Sequence, residues 1–250
     1  MDSKLIITAC LALCLPLFGQ AQLSQVYQED SFHCEGRYLP YRVSPAPFAQ
    51  APILLFLHGS GERGSDNAKQ LVHGASPLAT LADSFCIIIP QCPKDDYWSS
   101  VVKSVDEQGG RHFSFESELE PTWAMRALTG LLDSLMEADD FNAKRSVIGG
   151  LSMGGMGTFE LVSRRPQYFH KAFPICGGGD PDIAPLAYQT EWWIFHGLKD
   201  DIVDPEFSKA MHQAFLESGV QSTLTLYPEA NHNSWDSCFA EPTLYSWIRN

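Results

Sequence analysis

The 250-residue sequence predicts one α/β domain, a mostly parallel sheet with helices on both faces, and three observations carry that expectation. Short, continuously apolar runs recur, among them Ile53-Leu54-Leu55-Phe56-Leu57, Cys86-Ile87-Ile88-Ile89 and Trp192-Trp193-Ile194-Phe195. A strand covered on both faces has no reason to alternate apolar with polar residues, so such runs suit a parallel sheet. Helix-compatible segments separate them, and a parallel return needs a crossover of that kind. The runs also end in turns rich in glycine and histidine, at the C-terminal strand ends where such a sheet gathers its functional groups.

At this length a hydrophobic content of 44% supports one substantial core rather than two domains. Residues 1–21 read as an export leader, because Lys4 precedes an apolar run and Gly19-Gln20-Ala21 offers a small-x-small cleavage site. The catalytic domain would then occupy residues 22–250, secreted or periplasmic. The apolar run is short for a bilayer and contains Pro16, so no stable membrane insertion is expected after cleavage. A lipoprotein anchored at Cys10 is the less favoured alternative, since the run continues past that cysteine. Loss of Asp2 and Lys4 leaves the net charge at −13, which argues against nucleic acid and anionic membrane surfaces as partners. Five cysteines remain, Cys34, Cys86, Cys92, Cys176 and Cys238, enough for at most two disulfides and one thiol. No C-x-x-C pair or tight Cys/His cluster occurs along the chain, so no metal or cofactor is expected.

The elements follow in order. Residues 22–33 form a polar lead-in. Residues 36–43 read as a strand that Pro40 suits to a sheet edge, and residues 52–57 as a buried one. Residues 71–81 are weakly helical, broken by Gly74 and Pro77, and residues 85–90 are a second buried strand. Residues 91–115 are irregular and polar-aromatic, longer than most connections. Leu119, Trp123, Ala127, Leu128, Leu131 and Leu135 mark an amphipathic helix ending near Ala138, with Pro121 close to its start. A strand through Val147-Ile148 leads to a glycine turn and a buried helix. Strands at residues 172–176, 192–195 and 222–227, a helix at 205–218 and a last helix near 244–248 complete the alternation.

The turn within it has the pattern Gly150-x-Ser152-x-Gly154, in which a serine is held at the apex of a strained strand-to-helix turn and any Cβ on the flanking glycines would strike neighbouring backbone. Two later strand ends carry its chemical complements: the acids Asp200, Asp201 and Asp204, and His232. Serine is a weak nucleophile until an imidazole takes its proton, and the imidazole needs a buried carboxylate to hold its tautomer. Among the eight histidines, His232 is favoured by its polar turn after the final strand. His58 and His196 each precede a glycine at a strand end, where packing under the site is the expected role. Asp204, before Pro205, reads as a helix N-cap, which leaves Asp200 as the better partner for His232 and Asp201 in reserve. Backbone N–H groups of Met153 and of Ser60 or Gly61 are the candidates for stabilising an oxyanion.

Taken together, Phe56-Leu57-His58-Gly59-Ser60-Gly61-Glu62-Arg63-Gly64, Gly150-Leu151-Ser152-Met153-Gly154-Gly155, Pro174-Ile175-Cys176-Gly177-Gly178-Gly179-Asp180, Phe195-His196-Gly197-x-x-Asp200 and His232-x-Ser234-Trp235 resemble the secreted α/β-hydrolases called predicted peptidases. These are related to the dienelactone hydrolase, prolyl oligopeptidase and phospholipase/carboxylesterase families. The resemblance implies Ser152 as nucleophile, Asp200 as acid and His232 as base, although relatives commonly read Asp-x-x-Val-Pro where Asp204 here separates Val203 from Pro205. An exported serine hydrolase acting on small-molecule or oligosaccharide esters is the expectation. A small serine peptidase is the runner-up, disfavoured because no propeller or lid domain is present to sieve peptides. A catalytically dead hydrolase fold used for binding is the rival outside enzymology. Trp98, Trp193 and Trp235 are candidates for an aromatic, sugar-binding pocket, against the plainer reading of core residues.

Overall fold

The computed structural model describes residues 20–107, 111–116, 118–137 and 141–250. The expected leader lies outside these except for its last two residues, which open helix α1 (Gln20–Val26). Leu23 of that helix and the following Tyr27 are buried, and the Tyr27 hydroxyl donates to the Ala75 carbonyl at 2.9 Å. The chain continues through β1 (Gln28–Cys34), β2 (Arg37–Val43), β3 (Ile53–Leu57), α2 (Ala75–Leu78), β4 (Cys86–Pro90), β5 (Val101–Val105), β6 (Arg111–Phe115), α3 (Trp123–Glu137), β7 (Val147–Leu151), α4 (Met153–Arg164), β8 (Lys171–Ile175), β9 (Glu191–Gly197), α5 (Pro205–Glu217), β10 (Ser222–Tyr227), α6 (Trp235–Phe239) and α7 (Leu244–Arg249).

Eight strands form one sheet in the order β1-β2-β4-β3-β7-β8-β9-β10. The first two pairings are antiparallel, and those from β4 through β10 are parallel. The continuous apolar runs behave as expected, because successive residues of a strand point to opposite faces and both faces are covered. Leu55 and Leu57 join one buried cluster with Leu128 of α3, Phe159 of α4 and Phe215 of α5. Leu54 and Phe56 join another with Leu23, Leu78, Phe239 and Ile248 from α1, α2, α6 and α7. This is the α/β-hydrolase arrangement.

Two expectations need correction. Pro40 is not on the sheet edge: β2 lies between β1 and β4, with Pro40 opposite Ser31. The edge strand is β1, drawn from the supposed lead-in, and as an edge it needs no apolar alternation; its residues are mostly exposed. The irregular stretch before α3 contains an antiparallel β5–β6 hairpin that docks through Phe113 and Phe115 onto Phe207 of α5, with ring centroids 6.4 and 5.3 Å apart. The five described cysteines are free thiols, within the ceiling of two disulfides that their number sets.

The turn between β7 and α4 depends on two glycines. A Cβ on Gly150 would lie 2.3 Å from the Gly154 carbonyl oxygen, and one on Gly154 would lie 1.9 Å from the Leu57 carbonyl oxygen. Backbone cannot yield as a side-chain tip can. Gly154→Ala is therefore expected to destabilise the fold by about 3 kcal/mol or more, whereas Gly61→Ala, which meets nothing within 4 Å, should change stability by less than about 0.5 kcal/mol. Urea unfolding of the two variants checks the contrast; equal losses would show that α4 does not need its close approach to β3.

Candidate active site

Ser152 sits at the junction of β7 and α4 with φ 54° and ψ −118°, a left-handed conformation that costs a non-glycine residue of the order of 1–3 kcal/mol. Its N–H donates to the Ile175 carbonyl of β8 at 2.8 Å, so the elbow is tied to the neighbouring strand as well as to its own helix. The Ser152 hydroxyl lies 2.9 Å from His232 Nε2. On the far side of the ring, His232 Nδ1 lies 2.8 and 3.0 Å from the two carboxylate oxygens of Asp200. An ionised carboxylate only accepts hydrogen bonds, so Nδ1 carries the proton and the Nε2 lone pair is left for the serine. The structure thus brings together the three side chains singled out in the sequence, with Ser152 and His232 80 positions apart in the chain.

The acid is held by more than its histidine partner. Asp200 Oδ1 accepts the N–H groups of Ile202 and Val203, each at 2.9 Å, and Oδ2 accepts His196 Nε2 at 3.1 Å. Burial of the carboxyl works to raise its pKa. The hydrogen bonds from His196, His232, Val203 and Ile202 oppose this and hold it well below the usual carboxylate range. His196 is fully buried; its Nδ1 meets the Ser208 hydroxyl at 2.7 Å, and Ser208 in turn donates to the Gly177 carbonyl at 3.0 Å. It packs under the site, as the sequence suggests, but it also bonds directly to the acid.

Asp204 caps α5 by accepting the Glu206 N–H at 2.9 Å, with Pro205 as the first helical residue. Its position between Val203 and Pro205 therefore serves the helix and leaves the acid loop free to reach His232. Asp201 is exposed, and its N–H donates to Asn231 Oδ1 at 3.3 Å. That same oxygen accepts the His232 N–H at 2.6 Å, so Asn231, missed in the sequence, ties the acid loop to the histidine loop. Gly197 was missed too: a Cβ there would lie 2.4 Å from the carbonyl oxygens of both Ala230 and Asn231. Only backbone without a side chain lets the two loops pass this closely.

The His58-Gly59-Ser60 loop approaches Ser152 at Gly59, where a Cβ would lie 3.7 Å from that of the serine. His58 anchors it from below, with Nδ1 donating to the Gly59 carbonyl at 2.6 Å and Nε2 accepting the Cys92 N–H at 3.0 Å. Burial is the main reason its pKa falls to about 4, so this imidazole is neutral. Ser60 and Gly61 follow in a short 3-10 turn. Met153 opens α4, where the first N–H groups have no intrahelical acceptor. Of the three tryptophans considered for a pocket, Trp235 flanks the Ser152–His232–Asp200 group, edge-on to His232 with centroids 5.7 Å apart. Trp98 is fully buried, and Trp193 packs on Phe195 and Trp247. Beside the first turn of α4 opens a cavity of about 230 Å³, lined by Phe115, Met156, Glu160, Gly179 and Ile183 among others.

The family model described as Phospholipase/Carboxylesterase matches residues 42–243. Lysophospholipase-like protein 1 of Mus musculus is 25% identical over 209 residues, 78% of this chain and 85% of that protein. A bifunctional acetylxylan esterase/xylanase of Neocallimastix patriciarum is 26% identical over 218 residues, 84% of this chain but only 27% of that protein. The crystal structure of a thermostable esterase matches with a TM-score of 0.78 and 27% identity, over 90% of this chain and 63% of that one. A puromycin-hydrolyzing peptidase of Mycobacterium tuberculosis, at 12% identity and a TM-score of 0.64 over 89% of this chain and 38% of that one, shares the fold.

Because His196 donates to an ionised carboxylate, its loss should depend on pH. A carboxyl with a depressed folded pKa contributes stability that is present above its unfolded value, about 3.9, and lost as pH falls through the folded one. His196→Gln is expected to cost about 2 kcal/mol at neutral pH and less at pH 3. Urea titrations at the two pH values measure this, and equal losses would mean that His196 contributes packing alone.

Proposed function

Because this chain belongs to the phospholipase/carboxylesterase family, within the α/β-hydrolases, we propose that it is an exported esterase that cleaves acyl esters, carried on small molecules or carbohydrate, through an acyl-enzyme at Ser152. The observation that carries this reading is the continuous hydrogen-bond relay from Ser152 through His232 to Asp200. His232 Nε2 takes the hydroxyl proton as Ser152 Oγ attacks the ester carbonyl, and Asp200 stabilises the imidazolium that results. The tetrahedral oxyanion is received by the Met153 N–H and by that of Ser60 or Gly61. Protonated His232 then gives its proton to the departing alcohol, and a water activated by the same nitrogen releases the acid.

The carbohydrate part of the proposal draws on the acetylxylan esterase relative and on Trp235 beside His232, since a flat apolar ring with a polar edge suits the face of a sugar. Export draws on the leader reading of residues 1–21. Cleavage after Ala21 would keep both Leu23 and Tyr27, the buried residues that seat the N-terminal segment. N-terminal sequencing of the cell-processed protein should therefore begin at Gln22; a lipid-modified Cys10 at the N-terminus would contradict it.

Rates on acetyl, butyryl and feruloyl esters, a lysophospholipid and matched amides test the chemistry. Short acyl esters are expected to exceed amides by at least about a hundredfold, and comparable amide turnover would favour a peptidase. Trp235→Ala should raise KM for acetylated oligosaccharide while leaving p-nitrophenyl acetate near its original value; equal effects on both would remove the carbohydrate assignment. Asp200→Asn should lower kcat by about ten-thousandfold, whereas Asp204→Ala should cost about 1 kcal/mol of stability with kcat little changed. The reverse pattern, read from kinetics and melts on the two variants, would move the acid.

A further inference from the structure

Under the Ser152–His232–Asp200 relay the fold places a thiol and a second hydroxyl that the relay does not use. Cys176 directly follows β8 and is fully buried. One ligand atom each from Cys176, Asp200 and His232 all lie within 4.8 Å of one another. Ser234, two residues past His232, is also fully buried, and its hydroxyl has no hydrogen-bond partner among the described residues. A buried polar group left in that state is costly, and this one lies within interaction range of the Cys176 sulfur, whose pKa burial and the Asp200 charge raise. The sequence offers no hint of such a group, because its members come from three separate strand ends.

A sulfur, an imidazole nitrogen and a carboxylate oxygen are the donor set of a tetrahedral site for a borderline-soft ion. With metal–ligand distances of about 2.0–2.3 Å, neighbouring donors in a tetrahedron stand roughly 3.3–3.7 Å apart, so Cys176 has to move towards the other two ligands while His232 and Asp200 part from their hydrogen bond. We propose that this chain binds a thiophilic divalent cation, Zn²⁺ or Cd²⁺, through Cys176 Sγ, Asp200 and His232, with the Ser234 hydroxyl beside it, and that the bound ion stops turnover by taking the imidazole and carboxylate out of the relay. Binding breaks the Cys176 S–H bond, forms a sulfur–metal bond and releases one proton to solvent, and where Nδ1 is the ligating nitrogen its proton moves to Nε2, with no change in oxidation state. Entry is past His232, whose side chain is 20% exposed, whereas the Asp200 carboxylate is wholly covered. A His232 nitrogen that ligates the ion cannot serve Asp200 or Ser152 at the same moment. The inhibitory consequence rests on the hydrolase reading given above; the binding itself does not.

Titration with Cd²⁺, followed by the ultraviolet Cd–thiolate absorption band, reads binding without reference to activity. The band is expected with one equivalent of ion in the wild type, in Ser152→Ala and in Cys34→Ser, the last removing the one cysteine among the described residues that is not buried, and it should be absent in Cys176→Ala. In the wild type, esterase rate should fall as the band grows and return on adding EDTA. The Cd²⁺ concentration for half-inhibition, taken against each protein's own metal-free rate, should rise at least about tenfold in Cys176→Ala. His232→Gln should weaken the affinity read from the band by a similar factor, which keeps the test open if Cys176→Ala does not fold. No band in the wild type, a band lost in Cys34→Ser or kept in Cys176→Ala, an unchanged affinity in His232→Gln, or equal inhibition with and without Cys176 would each overturn the proposal. A wild type that binds Cd²⁺ through Cys176 but hydrolyses no ester would instead count against the esterase reading alone.

Discussion

The carbonyl oxygen of Leu57 lies where a methyl group on residue 154 would meet it at 1.9 Å, and the arrangement of the site follows from that approach. Helix α4 can lie this close to β3 only because residue 154 is glycine, and the chain can turn from β7 into α4 only because Gly150 leaves room for the helix's own Gly154 carbonyl. The residue between them is then forced into left-handed backbone, which Ser152 adopts at φ 54°. The conformation is unfavourable in isolation, but it is over-determined here by the packing of α4 and by the Ser152 bond to Ile175 on β8. The result is a hydroxyl carried on a rigid turn beside the histidine loop.

A second constraint is electrostatic. A chain with a net charge of −13 keeps an ionised carboxylate in its interior, which is tolerable only if donors replace the lost water. Asp200 receives two backbone N–H groups and two imidazoles. The proton inventory around His196 is tight. Its Nε2 faces Asp200 and the Val203 carbonyl, both acceptors, so Nε2 carries a proton, while Nδ1 and the Gly177 carbonyl both lie within hydrogen-bond distance of the Ser208 hydroxyl, which has one hydrogen to give. The parallel pairing of β10 with β9 sets Tyr227 opposite Gly197, so the acid and histidine loops leave adjacent strand ends. Asn231 and the Lys199 N–H to Ala230 bond hold them together.

How much of this was legible depended on whether a residue's role is local. Ser152 announces itself through glycines two residues either side, Asp204 through the proline after it, and the buried strands through unbroken apolar runs. Asp200 and His232 could be chosen because parallel topology places their loops at one end of the sheet. What escaped are features defined by long-range packing. β1 is a polar strand that an edge tolerates, and the β5–β6 hairpin owes its place to aromatic contacts with Phe207, 90 or more residues away in the chain. Asn231 and Gly197 matter only once two loops meet. Cys176 was one of five cysteines with nothing to single it out until the fold set it against the relay, and the absence of a Cys/His cluster along the chain said nothing about one assembled from separate strand ends.

The central claim is that the strained serine at the elbow is a nucleophile activated by His232. Treating the protein with a fluorophosphonate and mapping the adduct by mass spectrometry tests it without assuming any substrate. The account predicts a single adduct on the peptide containing Ser152, formed far more slowly in His232→Gln and absent in Ser152→Ala. Labelling that persists in Ser152→Ala, or that proceeds at the wild-type rate without the His232 imidazole, would contradict it.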